Sequence, residues 1–231
     1  MAQSTTHISN RRLRTPRAAA IAGIIFAVLM IVSLTMLQIY VPADSTDTSD
    51  WLAENIGRIN FALSLLPFAG IAFIWFLGVV RDRIGLLEDQ FFSTLFFGSG
   101  LLYLAMTFAT AAIAGGILAV YAFNPEILIT SGLYTFARAI IYKFNNIFAI
   151  RMAGMFMIVV GTIWWRTEVM PHWVALLTYA VAIVELIGIQ YFPWATLVFP
   201  SWVFLISAYI LVLNYRYQKQ DVEIDGMTAE G

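Results

Sequence analysis

Cysteine is absent from these 231 residues, and histidine occurs only twice, at His7 and His172. The first absence removes disulfide frameworks and thiolate chemistry. The second removes a bis-histidine haem site and the clustered ligands zinc needs, so no cofactor is expected. Charge is scarce too: 12% of residues are charged, whereas 61% are hydrophobic and 15% aromatic. A soluble domain carries about 25% charged residues, and no water-soluble fold of this length hides so much apolar surface. The lipid bilayer is therefore the expected solvent and first partner. A net charge of −1, with basic residues at helix edges rather than in one patch, gives no case for nucleic acid.

Catalytic patterns are missing as well. An intramembrane aspartyl protease needs two acids sharing a site, and only Glu185 lies deep in an apolar run. The fragment FGSGLL is not a G-x-S-x-G elbow and lacks a histidine base, and there is no phosphate-binding G-x-x-x-x-G-K-[ST] loop. The chain reads as a non-enzyme.

What is present is a series of long apolar runs. A bilayer core about 30 Å thick takes about 20 residues of helix. Six runs qualify, at about 18–41, 59–80, 91–122, 146–166, 172–192 and 197–216. The first follows Arg11, Arg12, Arg14 and Arg17, and it is too long for a signal-peptide core, so it reads as a retained helix. Residues 1–16 and 218–231 read as disordered polar tails around a transmembrane domain at 17–217. Asn124, Pro125 and Glu126 read as a helix start, and residues 125–144 as an amphipathic segment leading into the fourth span.

The positive-inside rule orients the bundle. With six spans and both termini cytoplasmic, nine of thirteen basic residues are inside: Arg11, Arg12, Arg14, Arg17, Arg81, Arg83, Arg166, Arg216 and Lys219. A seven-span count would weaken that bias. Small residues allow close backbone approach in lipid, and Gly98, Ala105, Ala109, Ala112 and Gly116 form the longest such stripe. It reads as an intramolecular packing face, or alternatively as a homo-oligomer seam.

The stretch AIIYKFNNIFAIRMAG, residues 139–154, is the polar anomaly. Ser131, Thr135, Arg138, Tyr142 and Asn145 step by 4, 3, 4 and 3, which keeps them on one helical face directed to water or headgroups. Arg151 lies about one turn inside the fourth span, where an unpaired charge costs at least a few kcal/mol. Helices four and five are antiparallel neighbours, so Arg151 is expected to pair with Glu185 near the outer leaflet, with Asn145 or Asn146 adding hydrogen bonds. These four residues form the candidate polar site.

Two segments, GVVRDRIGLLEDQFFSTLFFGSGLLYLAM and FNNIFAIRMAGMFMIVVGTIWWRTEVMPHW, together with RTPRAAAIAG and VFPSWVFLISAYIL, resemble a group of six-helix membrane proteins of actinobacteria and cyanobacteria. The likeness spans most of residues 14–213. It implies architecture and a bacterial inner-membrane location, or a thylakoid membrane in a cyanobacterial host, and carries over no activity and no site residues. The expected role is a non-enzymatic accessory subunit, or a binder of lipid or another apolar ligand, with a membrane-protein partner or a second copy as further candidates. The alternative is a small oligomeric transporter or channel using Glu185 and Arg151.

Overall fold

In lipid, an apolar run has few ways to satisfy its backbone. Without water, each segment closes its own N–H and C=O groups as a helix. The computed structural model describes residues 3–41, 50–84, 90–187 and 194–229, and every regular element among them is helical. The elements are α1 (Gln3–Tyr40), α2 (Asp50–Ile84), α3 (Gln90–Phe123), α4 (Pro125–Thr130), α5 (Leu133–Lys143), a π-helical segment (Phe144–Ala149), α6 (Ile150–Thr167), α7 (His172–Ile187), a 3₁₀ turn (Ala195–Leu197) and α8 (Val198–Ala229).

Five stretches are long and apolar enough to cross a membrane: Arg17–Tyr40, Glu54–Arg81, Gln90–Phe123, Leu133–Thr167 and Ala195–Tyr215. α7 is apolar but has only 16 residues, and residues 188–192 of the expected fifth span lie outside the described residues. α1 starts at Gln3 and α8 runs to Ala229, so helix reaches into both ends that were expected as disordered tails.

The polarity of α7 is inverted relative to a soluble helix. Leu176, Leu177, Ile183, Val184 and Ile187 are exposed, while Thr178, Ala182 and Glu185 are buried. In water that arrangement would leave an apolar stripe wet and a carboxylate dry. Against lipid tails the outward leucines and isoleucines cost nothing. Similar apolar faces on α1, α2 and α8, with Ile25, Val32, Trp75 and Leu205 all exposed, complete the case for a multi-pass helical membrane protein.

α1 packs along α2 and α8, α6 packs along α7 and α3, and α2 meets α3 between the two groups. Glycine permits the tightest of these approaches. A Cβ on Gly154 would lie 2.9 Å from Leu186 Cγ and 3.4 Å from the Ala182 carbonyl, so α6 and α7 touch there almost backbone to backbone. Gly23 faces Ser207 on α8 in the same way. Elsewhere the groups are held together by large rings: Phe26, Phe73, Phe96, Phe156 and Phe199 are all fully buried, with Tyr103 and Trp202 beside them.

The small-residue stripe on α3 does not take part in this packing. Ala105, Ala112 and Gly116 are exposed, Gly98 and Ala109 are half-buried, and a Cβ added at Gly98 or Gly116 would meet nothing within 4 Å. α3 instead buries Phe96, Gly100, Tyr103, Leu104 and Thr107. The intramolecular reading of the stripe is thus corrected. Ring-to-ring dispersion holds α3 in place, and a small-residue face offers few such contacts.

A second apolar cluster lies at one end of the bundle, where Leu52 and Ile59 of α2, Ile117 and Leu118 of α3, Leu128 of α4 and Tyr134 and Ala137 of α5 meet. α3 has 34 residues and the run Leu133–Thr167 has 35; at 1.5 Å per residue each spans about 50 Å, well beyond the bilayer core. The cluster occupies the excess length. The Asn124 side chain accepts from the Ile127 N–H at 3.3 Å, with Pro125 at the first helical position, as a helix start requires. Gly132, at φ +70°, turns the chain from α4 into α5. Along α5, Tyr134 and Ala137 point inward while Thr135 and Tyr142 are exposed; of the other residues in the expected stripe, Ser131 lies before the Gly132 turn and Arg138 and Asn145 are half-buried.

Arginines mark the helix ends. Arg17 lies over the Tyr215 ring (5.2 Å), Arg81 over Phe97 (4.8 Å) and Arg166 over Phe92 (5.2 Å) at one end, and Arg58 over Tyr40 (4.9 Å) at the other. Because Arg17 begins the apolar part of α1 and Tyr215 ends that of α8, both lie at the same end of the bundle.

Candidate functional site

α7 turns one stripe inward: Ala175, Thr178, Ala182 and Glu185, stepping by 3, 4 and 3. The periodicity alone puts these side chains on one helical face. α7 is anchored chiefly on α6, through Leu186 against Gly154 and Tyr179 against Gly161; the Tyr179 hydroxyl also lies 2.8 Å from Thr162 Oγ1. Toward α3 and α8, α7 meets aromatic side chains, with Trp202 of α8 reaching Thr178 and Tyr103 of α3 within electrostatic range of Glu185.

Two polar groups on the stripe face those aromatics. Thr178 accepts a hydrogen bond from Trp202 Nε1–H at 3.1 Å. Glu185 lies two turns further along, about 10 Å on at 1.5 Å per residue. It is 2% exposed, and among the described residues neither carboxylate oxygen has a hydrogen-bond partner. Its electrostatic neighbours are Tyr103 of α3 and the Phe199 backbone N–H at the start of α8; the latter approaches without closing a hydrogen bond. Phe199 is a hub, with ring centroids 4.6 Å from Tyr103, 5.6 Å from Phe156 and 6.1 Å from Trp202. The carboxyl therefore sits against an aromatic wall near a helix N-terminus, whose free N–H groups favour negative charge.

The structure does not join the four expected polar residues. Arg151 is exposed, whereas Glu185 is enclosed and makes no ion pair or hydrogen bond, so the expected pair is not formed. Axial depth is not the obstacle, because Gly154 abuts Leu186 and Arg151 lies only about one helical turn away. Direction around the axis is. Tyr179 and Leu186 are the residues α7 turns toward α6, whereas Glu185 shares the inward face with Thr178 and Ala182, and Arg151 stays exposed. Asn145 and Asn146 are half-buried within the π-helical segment, which packs against α3 and the 3₁₀ turn that leads into α8. π-helical insertions are frequent at functional sites, and this one stands at the end of the bundle nearer Glu185.

Sequence reasoning missed Tyr103, Thr178, Trp202 and the π-helical geometry. The 3, 4, 3 spacing from Ala175 to Glu185, set against Leu176, Leu177, Ile183 and Val184, was an available signal for the inward stripe. Among the described residues no three His, Asp or Glu side chains gather to hold a metal ion. Pro67 removes a backbone donor within α2, and nearby Ser64 Oγ donates to the Phe61 carbonyl at 2.7 Å. Ser33 Oγ bonds the Ala62 carbonyl at 2.7 Å and ties α1 to α2. No protein-family model, curated protein or solved structure matches the chain.

Proposed function

We propose that this is a non-enzymatic membrane protein that binds a small apolar ligand inside its bundle, with the Glu185 carboxyl as polar anchor. One observation carries the reading: a fully enclosed carboxyl whose two oxygens have no hydrogen-bond partner among the described residues. An ionised carboxylate among apolar groups is costly unless something neutralises it, and intramembrane acids mark ligand, ion or proton pathways. The rest of the site is apolar and aromatic, the usual lining of a small-molecule site with few polar groups to fix orientation.

The bundle is read as six crossings with α7 as the fifth, and as N-in and C-in. Arg17 beside Tyr215 and the inverted polarity of α7 support that reading. The group of bacterial six-helix proteins named above remains the proposed kinship, and an inner membrane the proposed location. A second reading is a transporter. Glu185 lies on the face of α7 that meets α8 through the Trp202 side chain, and such a seam can open. In that case Glu185 and Arg151 act separately, not as a pair.

Native mass spectrometry of protein extracted gently from its host membrane separates these readings. The expected result is a monomer or small oligomer carrying a non-covalent apolar small molecule that is absent from Glu185→Leu protein. A reproducible foreign subunit without such a molecule replaces ligand binding with an accessory role. A closed homo-oligomer without either favours the transporter, and liposome flux follows.

A further inference from the structure

The wall around Glu185 says more about the ligand than that it is apolar. Rings present a negative face, which attracts cations and discriminates against anions. Tyr103 and the Phe199 backbone are the electrostatic neighbours of the carboxyl, the Tyr103 and Phe199 rings lie 4.6 Å apart between centroids, and Phe156 and Trp202 continue the ring cluster. No described basic side chain pairs with Glu185: its oxygens have no partner, and Arg151 of α6 is exposed. A carboxylate and π-faces with no internal cation together describe a receptor for positive charge on an apolar body. α7 is locked to α6 at Gly154 and meets α8 through the Trp202 side chain.

We propose that the Glu185 site binds a lipophilic organic cation, an amine or onium group on an apolar body, by ion pairing with the carboxylate and cation–π contact with the Tyr103, Phe199 and Trp202 rings. The proposal rests on the ligand-binding reading above and narrows it to one charge class.

The test uses the full chain in lipid nanodiscs, with empty nanodiscs subtracted. Three probes are measured by equilibrium dialysis: tetraphenylphosphonium, the similarly shaped anion tetraphenylborate, and neutral triphenylphosphine oxide. The expected result is saturable, one-site binding of the phosphonium, more than about tenfold tighter than either other probe, a difference of about 1.4 kcal/mol. Glu185→Gln should remove that preference, and Trp202→Leu should weaken the phosphonium while leaving the neutral probe near its wild-type affinity. If the neutral probe or the anion binds as tightly as the cation, the charge-class proposal is overturned while apolar binding stands. If no probe binds saturably to protein that still melts cooperatively, both readings are overturned. Should the Glu185→Gln protein not fold, the order of the three probes on wild-type protein decides alone.

Discussion

Along one face of α7, two polar side chains seven positions apart have opposite circumstances. Thr178 is buried and partnered, receiving the Trp202 indole N–H at 3.1 Å; Glu185 is equally buried and has no partner for either oxygen. The first arrangement is what a bundle needs to stay together. Interhelical hydrogen bonds in membranes contribute modestly, about 0.6 kcal/mol on average and at most about 1.7. The second costs stability and adds no contact that the fold requires. Two groups on one stripe, in the same aromatic surroundings, thus separate structural polarity from polarity kept for something else.

The largest expected effect comes from removing the seam that aims both residues. Gly154→Leu would force a side chain into Leu186 and the Ala182 carbonyl, which a bare Cβ already approaches within 3.4 Å. Overpacking of this kind costs about 1–3 kcal/mol and sometimes more. Thermal unfolding in detergent should show a clear fall, with loss of both the Thr178 contact and phosphonium binding. An unchanged melting temperature would mean that α6 and α7 do not meet there.

The two polar groups should then respond with opposite signs. Glu185→Met keeps similar volume and removes the unpartnered oxygens, so ligand-free protein should gain stability, by about 1–3 kcal/mol if the full desolvation penalty is relieved. A loss instead would mean that Glu185 is held by a contact the bundle needs, and the distinction between the two residues would fail. Trp202→Phe keeps a ring but deletes the donor to Thr178, and should cost about 0.6–1.7 kcal/mol. Combining it with Thr178→Val in a double-mutant cycle isolates that hydrogen bond, and additive losses would show the bond contributes nothing.

How much of this was legible beforehand depends on what each inference needed. Five long apolar helices and the Asn124 helix start follow from composition and local spacing, and the structure contains them. Glu185 stood out because it is the one acid deep in an apolar run, which is a one-dimensional fact. Its relation to Arg151 is three-dimensional. Depth along antiparallel helices can be counted from the sequence, and Gly154 against Leu186 shows the count was nearly right. Rotation about the helix axis decided the outcome: Tyr179 and Leu186 turn toward α6, whereas Glu185 shares the inward face of α7 with Thr178 and Ala182. The aromatic wall was equally hidden: it assembles from α3, α6 and α8, and no local pattern links Tyr103 to Phe199.

The smallest expected effect concerns the face that packs against nothing within the chain. Ala105, Ala112 and Gly116 are exposed on α3, and a Cβ at Gly116 meets open space. Gly116→Ala removes a glycine from a helix interior, which by propensity alone is worth about 0.5–1 kcal/mol of stability in favour of alanine. If lipid covers this face, the variant should melt at or slightly above the wild-type temperature, with unchanged mass by light scattering. If a second copy of the chain covers it, the added methyl falls in a close backbone contact, and both stability and oligomer mass should fall together. A single measurement therefore places α3 on the same scale as α7, where Gly154 lets one backbone approach another so closely that the same substitution would be felt at once.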